Sequence, residues 1–173
     1  WMIDPDDKLK TLPNLIDDFC SPISSNNVLR LDLSEVPFEA NSREILVNAI
    51  GRKVLSVARQ GAINHGAPLL VFIDEAHQFL NKRIGEETNR FELDAFGNIA
   101  KEGRKYGLNT IIATQRPRDI PEDVLSQIGT LIVHRLTNQL DQEIVKKAVG
   151  AIDQRSASFL PVLGQGEALL LGV

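Results

Sequence analysis

"LLVFIDEAHQFL", residues Leu69–Leu80, runs five apolar side chains into two carboxylates, an alanine and a histidine. An apolar run of that length, with no polar face, predicts a strand in the middle of a parallel sheet, covered on both sides. Burying a carboxylate without compensation is costly, so a strand that ends in Asp74 and Glu75 needs a reason for both acids.

Outward from this run, strand and helix signals alternate. Upstream, "NVLRLDLSEVP" (Asn27–Pro37) carries Val28, Leu29, Leu31 and Leu33 before a proline and predicts a strand with a turn after it. "NSREILVNAIGRKVLSVARQG" places Leu46, Ile50, Val54 and Val57 on one helical face, with Asn41 or Ser42 as cap and Gly61 as stop. Downstream, a polar stretch precedes "RFELDAFGNIAKEGRKYG", which predicts a helix with Leu93, Phe96 and Ala100 on one side and Gly107 at its end. "LNTIIATQ" is a further strand, followed by a short helix around "PEDVLSQIG", a strand in "TLIVHRL", helices in "DQEIVKKAVG" and "DQRSASFLP", and a last strand in "GEALLLG". Strands alternating with helices indicate βαβ units, hence an α/β fold with a mostly parallel sheet. Binding chemistry in such sheets sits at the carboxyl ends of the strands, where Asp74, Glu75 and Gln115 fall.

Composition narrows the classes further. The 173 residues, 43% of them hydrophobic, suffice for one globular core. A formal charge of −4 gives no general attraction to nucleic acid, so any DNA contact must come from a local patch or from many subunits around the duplex. The lone Cys20 excludes an intramolecular disulfide framework and a CxxC metal site, and a reducing compartment is expected. No apolar run approaches the ~18 residues of a membrane span, and no signal-peptide pattern is present, so a cytoplasmic protein without membrane contact is expected. The sequence opens Trp1-Met2, which reads as a chain cut from something longer.

An apolar strand ending in Asp-Glu is also the Walker B pattern of P-loop ATPases, in which the Asp helps hold Mg²⁺ and the Glu polarises the attacking water. Bound Mg²⁺ and ATP would neutralise the acids. Backbone donors at a following helix start are the alternative explanation. The next strand ends in Thr114 and Gln115, and a glutamine there can orient water or sense a γ-phosphate, or else merely cap the strand. Arg104 and Lys105 close a predicted helix, where cations also serve as partners of the helix dipole.

The segments "LLVFIDEAHQFL", "IAKEGRKYGLNTIIATQRPRDIPEDVLSQIGTLIVHRL" and "DQEIVKKAVG" resemble, in this order, the HerA/FtsK superfamily of RecA-like ATPases, most closely the HerA-type ATPases of DNA translocation. The resemblance covers most of the chain from Pro68 onward. It implies a RecA-like, mostly parallel sheet with helices on both faces. It implies ATP and Mg²⁺ as cofactors, with Asp74 coordinating Mg²⁺ through water and Glu75 acting as general base. Gln115 inherits the role of sensor, with Thr114 beside it at the nucleotide. Arg104 is implied as a finger on the neighbouring subunit's nucleotide, with Arg135 as rival for that role and otherwise a nucleotide contact. A finger supplied in trans is worth roughly 10³ to 10⁵ in rate, or about 4 to 7 kcal/mol of barrier. The implied partners are double-stranded DNA and further copies of the chain in a hexameric ring, with a nuclease or effector partner left open. Pore contacts in such a ring add up subunit by subunit, and Lys82, Arg83 and Arg90 are candidates alongside their reading as a solvated loop.

One motif is missing. No Gly-Lys-Ser or Gly-Lys-Thr of a phosphate-binding loop occurs. The chain therefore resembles the C-terminal part of an ATPase domain without its P-loop strand, and its sheet is expected to be incomplete. Residues 1–173 are expected to form a single partial RecA-like domain, with 1–26 an irregular or helical lead-in and 27–173 the βα core. On this reading the isolated fragment is inactive. Asp74-Glu75-Ala76-His77 also spells the motif of DEAH-box helicases, but Ala113-Thr114-Gln115-Arg116-Pro117 stands where that class has Ser-Ala-Thr, so His77 is read as a local polar contact. Type IV secretion and conjugative-transfer ATPases share the superfamily pattern, and a non-hydrolysing RecA-like scaffold for a nuclease or defence effector is a further alternative.

Overall fold

The computed structural model describes residues 11–21, 24–37, 39–63, 68–80, 82–84, 91–149 and 154–172. These fall into two compact units: one takes the described residues up to Ile73 together with Gln78–Ile112, the other Asp74–His77 together with the described residues from Ala113 onward.

In the first unit, helix α1 (Leu12–Cys20) and helix α2 (Ser42–Arg59) precede strand β1 (Leu69–Ile73). Strands β2 (Lys82–Ile84) and β3 (Phe91–Leu93) pair antiparallel, and helix α3 (Ala95–Glu102) leads through a 3₁₀ turn to strand β4 (Leu108–Ile112). β1 and β4 run parallel, in register from Leu69 opposite Leu108 to Ile73 opposite Ile112. Gly107, at φ +78, makes the turn into β4 in the left-handed region that favours glycine.

The core of this unit is built on the approach of α2 to α3. A Cβ on Gly51 would lie 2.8 Å from the Cβ of Ala95 and 3.1 Å from the Phe96 ring, so only glycine lets the helices come this close. Leu93, Ala95 and Ile99 are almost wholly buried there. Asn48, 2% exposed, is a polar residue inside this contact. Its Oδ1 accepts the Ala95 N–H at 3.0 Å and its Nδ2 donates to the Glu92 carbonyl at 3.5 Å, which satisfies the amide and closes the start of α3. Ion pairs from Arg52 to Asp94, Lys53 to Asp17 and Arg59 to Glu102 decorate the rim.

The second unit holds helix α4 (Glu122–Leu125), strand β5 (Thr130–Val133), helices α5 (Gln139–Val149) and α6 (Gln154–Phe159), and strand β6 (Leu169–Gly172). β5 and β6 pair antiparallel, and Val133, Val145 and Leu160 form the core with Leu131, Leu136, Leu169 and Leu171 packed against it.

The α/β class holds, with its parallel part in the β1–β4 pair and two antiparallel pairs beside it in sequence. Five expectations change. Asn27–Pro37 is not a strand, and Val28 is exposed: its apolar residues find no partner strand among the described residues, and a strand exists only in a ladder. The segment expected to start the α3 helix at Arg90 instead enters it through β3, because Phe91–Leu93 pairs with β2. The buried residues of α2 are Val47, Asn48, Gly51, Leu55, Val57 and Ala58; of the predicted face Val57 is buried while Leu46, Ile50 and Val54 are only half-buried, since the glycine contact with α3 sets the helix's orientation. Asn41 makes no side-chain cap, and the Ser42 hydroxyl instead donates to the Glu39 carbonyl at 2.6 Å. β1 is not covered on both faces either: Leu70 and Phe72 are exposed on the side shared with Ile111. No helix among the described residues is long and apolar enough to cross a membrane.

Candidate functional site

The parallel register of β1 and β4 ends both strands at one level, Ile73 opposite Ile112. Beyond that pair the two segments stay tied, since the Ala76 N–H donates to the Ala113 carbonyl at 3.0 Å. Ala76 has no exposed surface, so the turn that follows β1 is pinned at its centre.

Asp74 continues the alternation that exposes Leu70 and Phe72, and it is exposed too. Its Oδ1 accepts the Glu75 N–H at 3.0 Å. The burial penalty expected for both acids therefore does not arise for Asp74, which remains in water. It falls on one atom of the pair. The Glu75 side chain keeps 35% of its surface, yet its Oε2 is buried and accepts no hydrogen bond from the described residues. Its other oxygen, Oε1, accepts from Gln115 Nε2 at 2.9 Å. Glu75 also has φ +48, in the left-handed region where a non-glycine residue costs about 1 to 3 kcal/mol.

Two more side chains close the cluster. His77 Nδ1 lies 3.2 Å from Thr114 Oγ1 and 3.4 Å from Glu75 Oε2, the latter at ion-pair distance but outside hydrogen-bond geometry. Thr114 Oγ1 accepts the Arg116 N–H at 3.0 Å, which fixes the chain as it leaves β4. Asp74, Glu75, Thr114 and Gln115, selected from the sequence, are thus gathered in one place, and His77 joins them. No periodic pattern flags His77, because its partner lies 37 residues away in the chain.

The basic candidates are placed differently. Arg104 is exposed in the 3₁₀ turn Gly103–Tyr106 of the first unit. Arg135 is exposed just after β5 in the second. Lys82 and Arg83 lie on β2, in a hairpin rather than the expected loop, and Arg90 lies outside the described residues. Arg116 and Arg118 stand 3.8 and 3.9 Å from Asp119, exposed pairs of little energetic weight.

No cluster of three or more His, Cys, Asp or Glu side chains able to hold a metal occurs among the described residues. Mg²⁺ in nucleotide sites needs none, because one or two carboxylates and the substrate phosphates hold it along with water. The exposed carboxylate of Asp74 fits that demand.

Residues 56–172 match the family described as Helicase HerA-like C-terminal. The chain belongs to this family. Over 105 residues it is 39% identical to the DNA double-strand break repair helicase HerA of Pyrococcus furiosus, covering 61% of this chain and 18% of that protein. The HerA helicase of Sulfurisphaera tokodaii is 29% identical over 159 residues, 90% of this chain and 31% of the relative. The chain therefore spans under a third of the length of these curated relatives. Among solved structures, the genome packaging NTPase B204 of Sulfolobus turreted icosahedral virus 2, in complex with AMP, superposes with a TM-score of 0.53 at 19% identity, over 74% of this chain and 57% of that one. That likeness concerns the fold, a partial RecA-like α/β arrangement.

Proposed function

We propose that this chain is the C-terminal part of the ATPase domain of a HerA-type DNA helicase or translocase, and that it carries the water-activating half of an ATP-hydrolysing site. The observation that carries the reading is the 2.9 Å hydrogen bond from Gln115 to a Glu75 held in left-handed backbone. Strain of this kind persists where the surroundings over-determine it, and it gathers at working sites.

In this reading Asp74 would hold Mg²⁺ through water, and the bound metal would supply positive charge against the phosphates. Glu75 takes the proton of the attacking water at Oε1, the oxygen that Gln115 addresses. Gln115 orients the carboxylate and reports on the terminal phosphate, while Thr114 anchors the turn between them. Arg104 reaches the nucleotide of a neighbouring subunit and Arg135 is its rival. The full-length protein is a cytoplasmic hexameric ring around double-stranded DNA, with the phosphate-binding loop encoded outside this chain, and this chain forms a single partial RecA-like domain within it. The relatives' names as DNA double-strand break repair helicases support DNA as the substrate.

The test is turnover by the full-length protein carrying Glu75→Gln. Loss of the general base should lower kcat by about 10²- to 10⁴-fold and leave ATP affinity unchanged. Turnover at the wild-type rate would defeat the assignment.

A further inference from the structure

We infer that His77 is a positioning residue for Glu75, holding the carboxylate from its buried side through a proton on Nδ1. The inference deepens the function proposed above and rests on it.

The carboxylate of Glu75 has two unlike oxygens. Oε1 is addressed by the Gln115 amide at 2.9 Å. Oε2 is buried, and no donor among the described residues reaches it in hydrogen-bond geometry. A buried, unsatisfied acceptor is expensive, and a nearby donor should be found for it. His77 Nδ1 is that donor, 3.4 Å away. The same nitrogen stands 3.2 Å from Thr114 Oγ1, so a small ring rotation passes it from the hydroxyl to the carboxylate.

The surroundings fix which way the ring points. His77 keeps only 16% of its side-chain surface, and the backbone on its N-terminal side is held by the buried Ala76 and its bond to Ala113. Thr114 is held in turn, because its oxygen already accepts the Arg116 N–H. With Nδ1 protonated, the ring shares its proton between Thr114 Oγ1 and Glu75 Oε2, which restrains the position and plane of the carboxylate from its inner side. Oε1 is then kept on the outer side, where a water could give up its proton. With the proton on Nε2 instead, Nδ1 could only accept from the Thr114 hydroxyl, and Oε2 would stay orphaned. A histidine that merely filled space would not care which nitrogen carries the hydrogen.

That difference is testable in the full-length protein by steady-state ATP turnover. Asparagine places its amide nitrogen where Nδ1 stands, whereas glutamine places its own where Nε2 stands. His77→Ala should lower kcat about 10- to 100-fold, as expected for a misplaced reacting group, with KM unchanged. His77→Asn should recover most of that loss and His77→Gln should not. If His77→Ala fails to fold, the comparison of the two amides decides alone. Equal turnover for His77→Asn and His77→Gln, or a change confined to KM, overturns the inference. Glu75→Gln separates it from the reading beneath it: if that variant is inactive while His77→Ala turns over at the wild-type rate, only the positioning role falls.

Discussion

The contact between α2 and α3 and the turn after β1 treat a buried polar group in opposite ways. At Asn48 both ends of the amide are occupied, a glycine opens the space, and the surrounding side chains are apolar. At Glu75 one oxygen is buried with no hydrogen bond from the described residues, and the backbone sits where only glycine is comfortable. The first region obeys every local rule of packing and the second breaks two within one residue. Places where such rules fail without local compensation are where function is expected.

The largest test of this contrast lies outside both regions. If hydrolysis depends on a cation supplied by a neighbour, Arg104→Ala in the full-length protein should cost about 10³- to 10⁵-fold in kcat, measured as ATP turnover. Mixing Arg104→Ala with Glu75→Gln subunits should restore some activity, because some interfaces then join a sound finger to a sound site. No recovery in mixed rings would return the role to Arg135 or to neither.

Next in size, Gly51→Val should destabilise the fold by roughly 1 to 3 kcal/mol through overpacking against Ala95 and Phe96, read from urea unfolding. Asn48→Ala should cost a similar or somewhat smaller amount, about 1 to 3 kcal/mol, by stranding the Ala95 N–H. Glu75→Gly should do the reverse: relieving left-handed strain should add about 1 kcal/mol of stability while turnover disappears. A Glu75→Gly protein that is less stable than wild type would dissolve the contrast between the two regions.

The smallest effect concerns Cys20. Half-burial raises its thiol pKa first, the Asp17 carboxylate raises it further, and Lys53 opposes them. Less thiolate is therefore present at any given pH, and iodoacetamide should label Cys20 more slowly than an unfolded cysteine at pH 8. Labelling at the unfolded rate would contradict its burial.

Much of this arrangement was legible in the residues alone. Gly61 and Gly107 mark the ends of α2 and of the turn before β4, and the apolar run Leu69–Ile73 and the segment Leu108–Ile112 are the two strands that pair. Because acids follow one strand and an amide the other, sequence reasoning could place Glu75 near Gln115. It could not supply what depends on distant partners. The β2–β3 hairpin hides inside a helical spacing of Leu93, Phe96 and Ala100, since three-residue strands carry too little periodicity to compete. The direction of β6 against β5 is not written in "LLLG", and the orientation of α2 is decided by Ala95 and Phe96. Likewise, no pattern reveals that one Glu75 oxygen is stranded or that His77 faces it, because Thr114 and Gln115 return to the turn only through folding.

The five matched rungs between β1 and β4 carry a lesson for tracing kinship. They, and not the forty-residue interval between Glu75 and Gln115, fix how far apart the two functional groups end up. Evolution is therefore free to lengthen or trim the intervening hairpin and helix, so a search for distant cousins should demand equal ladder lengths and leave the gap unconstrained.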